Sequence, residues 1–231
     1  MINLSKRMQA LAEMVSPCHT FCDVGTDHGF LPIYLVQSHR CDTAIAMDLR
    51  KGPLERAVEH IRSYQLSDCI ETRLSDGVEK LAVKEANTVL IAGMGGQVTI
   101  HILTEGLEVC KQLDELILQP QSEIEAVRSF VFSQGFTLLA EDMVEEDGKY
   151  YPMMKLRYTG AKSPSYLEAE LLYGPMLLAE RHPVLQEFLK KDLQREEKIL
   201  SNLPPLEEER IQQRRETVEA KIALLQHLIG E

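Results

Sequence analysis

A short acidic loop with two glycines near the amino terminus carries the residues best suited to chemistry. The sequence FCDVGTDHG spans residues 21–29, after a β-prone run over His19–Val24 and before a helical pattern over 30–39. In an open parallel sheet the loop after the first strand is a usual nucleotide site. Gly25 and Gly29 would let the backbone approach a ligand closely. The loop therefore predicts a nucleotide-type ligand.

The acids in this loop narrow the class of ligand. A dinucleotide site carries G-x-G-x-x-G, whose glycines and helix amino terminus receive a pyrophosphate. Here Asp27 stands at the second glycine position, where a carboxylate would repel phosphate, so NAD and FAD are disfavoured. S-adenosylmethionine has no phosphate and carries an ammonium and a sulfonium, for which Asp23 and Asp27 are suitable partners. His28 is either an ordinary helix-start residue or a further functional group.

More candidate ligand contacts follow the next three β-prone runs. Asp48 ends the run AIAMD, from which a carboxylate can accept both ribose hydroxyls. Asp76 and Gly77 follow the third run, in RLSDG, where a carboxylate can accept a hydrogen bond from an adenine amino group. Gly93 and Met94 in GMGG offer close backbone approach and a flexible apolar side chain. Each alone is typical of a turn, but at successive strand ends they predict one cofactor site.

These residues need a parallel sheet to bring them together. Short apolar runs predict strands over His19–Val24, Thr43–Met47, Ile70–Leu74, Thr88–Ala92 and Glu115–Leu118. Helical stretches are predicted in an N-terminal segment ended by Pro17, and over 30–39, 51–64, 97–109 and 122–134. Such alternation indicates an α/β fold with a parallel sheet covered on both faces. The turn dipeptide Asp147-Gly148 between two apolar runs predicts a terminal antiparallel hairpin.

The pattern changes after residue 160. Residues 159–166, TGAKSPSY, read as a linker between a domain over 1–160 and a helical coiled-coil domain over 161–231. Two apolar stripes separated by Pro204-Pro205 predict two long antiparallel helices. The stripes comprise Leu185, Phe188, Leu189, Leu193, Ile199 and Leu200, then Ile211, Val218, Ile222, Leu225 and Ile229. These helices either pack on the main domain or mediate weak self-association.

Composition limits the class of protein further. The chain has 231 residues, 44% of them hydrophobic, with 25 basic and 36 acidic side chains and a net charge of −11. This balance disfavours coating of nucleic acid by bulk charge but leaves a local basic patch possible. The amino terminus lacks the apolar block of a signal peptide, and no apolar run approaches the length of a membrane span. We therefore expect a soluble cytoplasmic protein.

The cysteines favour the same compartment. Five cysteines occur, at positions 18, 22, 41, 69 and 110, with no C-x-x-C pair and an odd total. Cys18 and Cys22 lie close in sequence, but no second pair or His cluster completes a set of four metal ligands. We expect ordinary buried thiols in a reducing cytosol, without disulfides or a metal site.

Three sequence blocks carry a family resemblance that covers essentially the whole chain. The blocks DVGTDHGFLPIYL, IAGMGG and LILQP, followed by the helical appendage, resemble the bacterial tRNA (adenine-22-N1)-methyltransferases. The resemblance implies a Rossmann-like sheet of seven strands, S-adenosylmethionine as cofactor, and tRNA as partner. It implies a cofactor pocket that includes Asp23, Gly25, Asp27, His28, Asp48, Leu49, Asp76, Gly77 and Met94, with Gly29 and Gly93 added from the loop patterns. Gln121 stands where many relatives have Asn, which puts a contact from this residue to the target base in doubt.

The implied reaction requires alignment of the cofactor and the target base more than it requires a strong base. Methyl transfer to nitrogen is an in-line displacement in which alignment supplies much of the acceleration. Adenine N1 has an available lone pair, and the product is a cation that Asp27 or His28 could stabilise or deprotonate at N6. No [DN]-P-P-[YF] follows the fourth strand, which disfavours exocyclic amine methylation. The alternatives are a methyltransferase acting on another RNA or a small molecule, and a non-catalytic RNA-binding module.

Several small basic sets are candidate phosphate contacts if the partner is tRNA. Taken singly, each set is more typical of a solvated helix face balanced by neighbouring glutamates. Taken with the resemblance, they predict local, salt-sensitive RNA binding. The sets are Lys6 with Arg7; Arg50 with Lys51; Lys191, Arg195 and Lys198; and Arg210, Arg214 and Lys221.

Overall fold

The chain divides into two compact units. A computed structural model describes residues 2–162, 165–204 and 209–230. The units are Met1–Tyr166 and Leu167–Glu231, so the division falls shortly after the boundary predicted at residue 160.

Parts of two predicted connections lie outside the described residues. They are Ser163 and Pro164 of the predicted linker, and Pro205 of the predicted proline turn.

Seven strands form a single sheet in the first unit, as predicted. They are β1 Cys18–Val24, β2 Cys41–Asp48, β3 Ile70–Leu74, β4 Thr88–Met94, β5 Glu115–Pro120, β6 Phe136–Glu146 and β7 Lys149–Tyr158. Their order across the sheet is β3-β2-β1-β4-β5-β7-β6. The pairs from β3 to β5 are parallel, whereas β7 runs antiparallel to both β5 and β6. The chain order reverses between β1 and β4, the position where open α/β sheets bind ligands.

Six helices accompany this sheet. They are α1 Lys6–Met14, α2 Phe30–Gln37, α3 Lys51–Ser63, α4 Gly96–Glu105, α5 Leu107–Cys110 and α6 Ile124–Ser133. The single helix predicted over 97–109 is wrong, because the chain breaks at Gly106. A β carbon on Gly106 would overlap the Val78 side chain, so this close contact needs glycine.

The β6–β7 hairpin extends past the end of β5. The β5–β7 ladder stops at Leu118 paired with Met154, whereas β6 and β7 stay paired to Glu146 and Lys149. The predicted Asp147-Gly148 turn closes the hairpin, with φ angles of 53° and 77° that suit a tight hairpin turn. The hairpin tip therefore projects beyond the carboxyl edge of the sheet, on the side where the predicted site lies.

Helix α1 packs against this projecting hairpin. The Ser5 side chain caps the helix by accepting a hydrogen bond from the Met8 backbone N–H at 3.4 Å. Its buried apolar face, which includes Leu11, shares one hydrophobic cluster with Val144 of β6 and Met153 of β7. Helix α1 thus becomes part of the wall at the carboxyl edge of the sheet.

A buried ion pair joins α6 to β6. The Arg128 guanidinium donates from Nε at 3.0 Å and approaches with Nη2 at 2.9 Å to the same Glu141 carboxylate oxygen. Both side chains are fully buried. Two opposite charges held out of water in this way depend strongly on each other.

The second unit is helical throughout its described residues. It contains α7 Glu168–Tyr173, α8 Pro175–Ala179, α9 Pro183–Asn202 and α10 Glu209–Gly230. The two long helices are antiparallel, as predicted: Arg181 donates to the Ile229 carbonyl at 3.3 Å, and Lys221 reaches Glu196 at 2.7 Å. Sequence analysis missed α7 and α8, which are too short to show helical periodicity.

Charged residues occupy part of the interface between α9 and α10. Leu185 and Leu189 are buried as predicted, but the next two inward positions are Asp192 and Glu196. Lys221 Nζ lies 3.0 Å from Asp192 and 2.7 Å from Glu196, and Arg195 also pairs with both acids, so two cations neutralise two carboxylates. The predicted apolar stripe is therefore wrong over this stretch. None of the described helices has the length and apolar character needed to cross a membrane.

Candidate active site

A cleft of about 340 Å³ opens at the carboxyl ends of β1 and β4. It brings together six of the residues predicted from sequence: Asp23, Gly25, Asp27, His28, Gly29 and Gly93. It also includes seven that were not predicted as site residues: Arg7, Met8, Thr26, Phe30, Leu90, Ala92 and Gln121. Most of these additions come from α1 or from strand interiors, where no local motif distinguishes them from core residues.

Asp23 is the buried acid of the cleft. It lies near the end of β1 and is only 8% exposed. Burial raises the pKa of Asp23 to about 6, and the nearby Asp48 carboxylate acts in the same direction. A carboxylate that is costly to ionise in the free protein gains most from a cation brought next to it.

The loop after β1 depends on its glycines. The backbone N–H groups of Gly25 and Thr26 both donate to the Met47 carbonyl at 2.8 Å, which folds the loop towards β2. Gly25 has a φ of +83°, and a β carbon there would overlap the methyl group of Met94. Met94 therefore packs over this loop, outside the lining of the cleft.

Asp27 is held by an arginine that sequence analysis did not connect to it. Arg56 of α3 donates to one Asp27 oxygen from Nε at 3.1 Å and also from Nη2. His28 Nε2 lies 3.6 Å from the other oxygen. The hydrogen bond from Arg56 lowers the pKa of Asp27 below its usual range. Such a carboxylate is a weak base, better suited to stabilising positive charge than to removing a proton.

His28 belongs to a cluster of three rings. Its ring centroid lies 5.0 Å from that of Phe30 and 5.3 Å from that of His60, and Phe30 and His60 are 5.0 Å apart. His60 Nδ1 is 3.0 Å from the His28 carbonyl oxygen. Because α3 supplies both His60 and Arg56, this helix orients the two predicted catalytic residues.

Asp48 and Leu49 lie at the end of β2. Asp48 is buried, and one of its oxygens accepts the Arg50 backbone N–H at 2.7 Å. Leu49 is 63% exposed, so its aliphatic side chain contacts water beside a buried acid. An exposed apolar surface next to a carboxylate is suited to a nucleoside, whose base is flat and whose sugar donates hydrogen bonds.

Asp76 lines a second cavity of about 190 Å³, between the loop after β3 and α4, and Gly77 is the next residue of that loop. Gly77 has a φ of +50°, and a β carbon there would lie 2.7 Å from Ile102. The predicted residues thus fall into two groups. Six line the main cleft, while Asp48, Leu49, Asp76, Gly77 and Met94 lie outside its lining.

The donor chemistry of this edge fits S-adenosylmethionine. Three acids, Asp23, Asp48 and Asp76, lie at or just after the ends of successive strands, and Arg56, which meets the loop after β1, is paired with Asp27. The acids suit an ammonium, a sulfonium and a ribose diol, and they would repel a pyrophosphate placed among them. Among the described residues, no group of three His, Cys, Asp or Glu side chains could hold a metal ion.

Comparison with known proteins gives one consistent family. The family described as tRNA (adenine(22)-N(1))-methyltransferase matches residues 21–227. The Bacillus subtilis protein of that name is 32% identical over 206 residues, which cover 87% of this chain and 86% of that protein. The crystal structure of B. subtilis TrmK matches with a TM-score of 0.85 at 30% identity, covering 99% and 100% of the two chains. Streptococcus pneumoniae Sp1610, in complex with S-adenosyl-L-methionine, matches at 0.86 with 29% identity over 98% and 100%.

Proposed function

The chain belongs to the tRNA (adenine(22)-N(1))-methyltransferase family, and on that premise we propose how its own residues perform the reaction. The enzyme transfers a methyl group from S-adenosylmethionine to N1 of adenine 22 in tRNA. The cleft between α1 and the loop after β1 is the reaction centre of this proposal. The observation that carries it is the buried Asp23 at the strand reversal between β1 and β4, with a pKa of about 6.

The three strand-end acids would hold the cofactor. Asp23 would pair with the ammonium of the methionine part, because a cation beside it offsets the cost of ionising a buried carboxylate. Asp48 would accept the ribose hydroxyls, and Leu49 would lie against the adenine ring. Asp76 would accept from the adenine amino group, with Gly77 allowing the backbone to pass close by. Gly25 and Gly29 would supply the same close approach around the methionine part, whereas Gly93 lies beside Arg7 and Gln121.

The acceptor base needs alignment and charge stabilisation. When bound, S-adenosylmethionine supplies a methyl group activated by the adjacent sulfonium. The N1 lone pair attacks without prior deprotonation, so the protein has only to align the base and exclude competing orientations. As positive charge develops on the base, the ionised Asp27 would stabilise it, and Arg56 would keep Asp27 ionised and fixed. His28 would assist from the ring cluster that it forms with Phe30 and His60.

Methylation of purified tRNA tests this function directly. Purified protein, S-adenosylmethionine and unmodified tRNA should yield a primer-extension stop at adenine 22, since a methyl group on N1 blocks base pairing. A transcript with adenine 22 replaced by guanine is the matched control and should give no stop. Modification found only in ribosomal RNA or only in a small molecule would contradict the proposal.

Location in the cell and oligomeric state are the two further properties of the enzyme. We expect a cytoplasmic enzyme, in keeping with its tRNA partner and its free cysteines. We expect a monomer, or weak self-association through the C-terminal helices, since α9 already pairs with α10 of the same chain. Sedimentation velocity over a range of protein concentrations would decide between these two states.

A further inference from the structure

We propose that Arg7 of α1 binds a phosphate group of the acceptor strand, next to the target adenosine. This inference rests on the proposed function and adds a specific substrate contact to it. It separates Arg7 from its neighbour Lys6, with which the sequence groups it as one of several basic surface sets.

The Arg7 guanidinium is held in place by uncharged partners. Its Nη1 donates to the side-chain oxygen of the fully buried Gln119 at 2.9 Å. Its guanidinium carbon lies 5.3 Å from the centre of the Tyr151 ring. Among the described residues, no carboxylate lies within ion-pair distance of this guanidinium. Glu146 accepts the Arg7 backbone N–H at 3.1 Å, beyond ion-pair distance of the guanidinium, so the Arg7 side chain can still pair with an anionic ligand.

Gly93 leaves open space beside Arg7 and Gln121. A β carbon placed on Gly93 would lie 3.6 Å from Arg7 Nη1 and 3.7 Å from Gln121 Nε2. Two N–H donors from different elements therefore converge on a volume that glycine leaves open. Arg7, Gly93 and Gln121 all line the main cleft. A guanidinium and an amide that converge in this way are typical of phosphate recognition.

The strand order places this pair of donors on the acceptor side. The proposed cofactor acids lie on β1, on β2 and in the loop after β3, which form one half of the sheet. Arg7 is fixed instead by Gln119 of β5 and Tyr151 of β7, in the other half. With the cofactor held by these acids in the first half, the second half of the sheet is left for the acceptor nucleotide. An anion bound by Arg7 is therefore best assigned to the nucleotide that receives the methyl group.

Binding measurements on matched variants test the assignment. Arg7→Gln removes the charge and keeps a polar side chain, whereas Arg7→Lys keeps the charge and loses the guanidinium geometry. We expect Arg7→Gln to weaken tRNA binding by about tenfold and to reduce the salt slope of log affinity by about 1, the loss of one phosphate contact. Arg7→Lys should keep the salt slope and recover part of the affinity. Calorimetric affinity for S-adenosylmethionine should stay unchanged in both.

Lys6→Gln is the matched control, because it removes the same charge from an adjacent, exposed position on α1. Equal losses in the Lys6 and Arg7 variants would show bulk electrostatics and overturn the proposal. Loss of cofactor affinity in Arg7→Gln would assign the anion to the cofactor carboxylate and also overturn it. Wild-type protein that leaves adenine 22 unmethylated would contradict the proposed function itself. Normal methylation with an unaffected Arg7 variant would contradict only this inference.

Discussion

Asp48 and Asp76 follow different strands but should serve the same cofactor. Each would accept hydrogen bonds as a charged group, and such bonds contribute roughly 1.5 to 3 kcal/mol. We therefore expect Asp48→Ala and Asp76→Ala each to weaken S-adenosylmethionine binding at least tenfold in calorimetry. Asp68→Ala is the control, because Asp68 is exposed and precedes β3 at the opposite edge of the sheet. Unchanged affinity in either cofactor variant would remove that residue from the site.

Asp23 should make cofactor binding depend on pH. Burial raises its pKa to about 6, so the free protein carries a proton there at lower pH. That proton must leave before Asp23 can pair with an ammonium, so affinity should fall about tenfold between about pH 7 and about pH 5. Asp23→Asn should bind weakly at both pH values and lose this dependence. A pH profile that stays the same in Asp23→Asn would show that another group titrates.

Ionisation of Asp23 should favour cofactor binding but lower the stability of the cofactor-free protein. Its pKa is raised on folding, so it stabilises the fold below its unfolded pKa, and that contribution is lost as the pH rises through about 6. At neutral pH the ionised, buried Asp23 destabilises the free protein. Asp23→Asn should therefore raise the melting temperature of the cofactor-free protein at neutral pH while impairing its binding. A lower melting temperature would contradict this assignment.

Among elements, α6 and β6 are joined by a fully buried charge contact between Arg128 and Glu141. Arg128→Met would leave Glu141 buried without its partner, which typically costs about 3 to 5 kcal/mol. The double variant with Glu141→Leu removes both charges and should cost clearly less. Urea denaturation of the single and double variants measures both effects. A double variant as unstable as the single one would show that packing, not charge, dominates here.

The sequence predicts the strands, and the meeting of their carboxyl-end acids at one edge of the sheet, for a physical reason. Strand-end acids and loop glycines such as Asp23, Asp48 and Gly25 are local signals, and a parallel sheet brings them to one edge. Arg7 and Arg56 carry no such local signal, because each lies on an amphipathic helix. Their partners, Gln119 and Asp27, lie 112 and 29 residues away in the chain.

At the scale of the whole molecule, Lys221 of α10 links its helix to α9 in the second unit. It is the ammonium that lies between the buried carboxylates of Asp192 and Glu196. Lys221→Ala should destabilise this unit by about 1 to 3 kcal/mol, because two buried carboxylates then share one fewer cation. Calorimetry should resolve an earlier melting transition. Lys198→Ala, at an exposed position of α9, should change stability by less than about 0.5 kcal/mol.

This cluster changes which basic residues can be tested for RNA contact. Arg195 pairs with Asp192, and Lys191 lies 2.8 Å from Glu187, so substitution of either disturbs an existing pair. Lys198 and Arg214 are exposed members of the predicted basic sets. Replacing both with glutamate should weaken tRNA binding while cofactor affinity stays intact. Loss of both affinities, or of neither, would contradict a phosphate-contact role for these helices.

The contacts between the β6–β7 hairpin and the amino-terminal segment bear on the order in which parts of the protein fold. The Arg7 backbone N–H donates to Glu146, and Lys155 donates to Ser16, each across a sequence separation of 139 residues. Contacts of such long range close large loops and form late in folding, after local strand and helix contacts. The same contacts should open first in the native state. Hydrogen exchange should therefore be faster at the amides of α1 than at those of β1 and β4. While α1 is open, the protein would still bind cofactor, but the wall that α1 forms at the cleft would be incomplete.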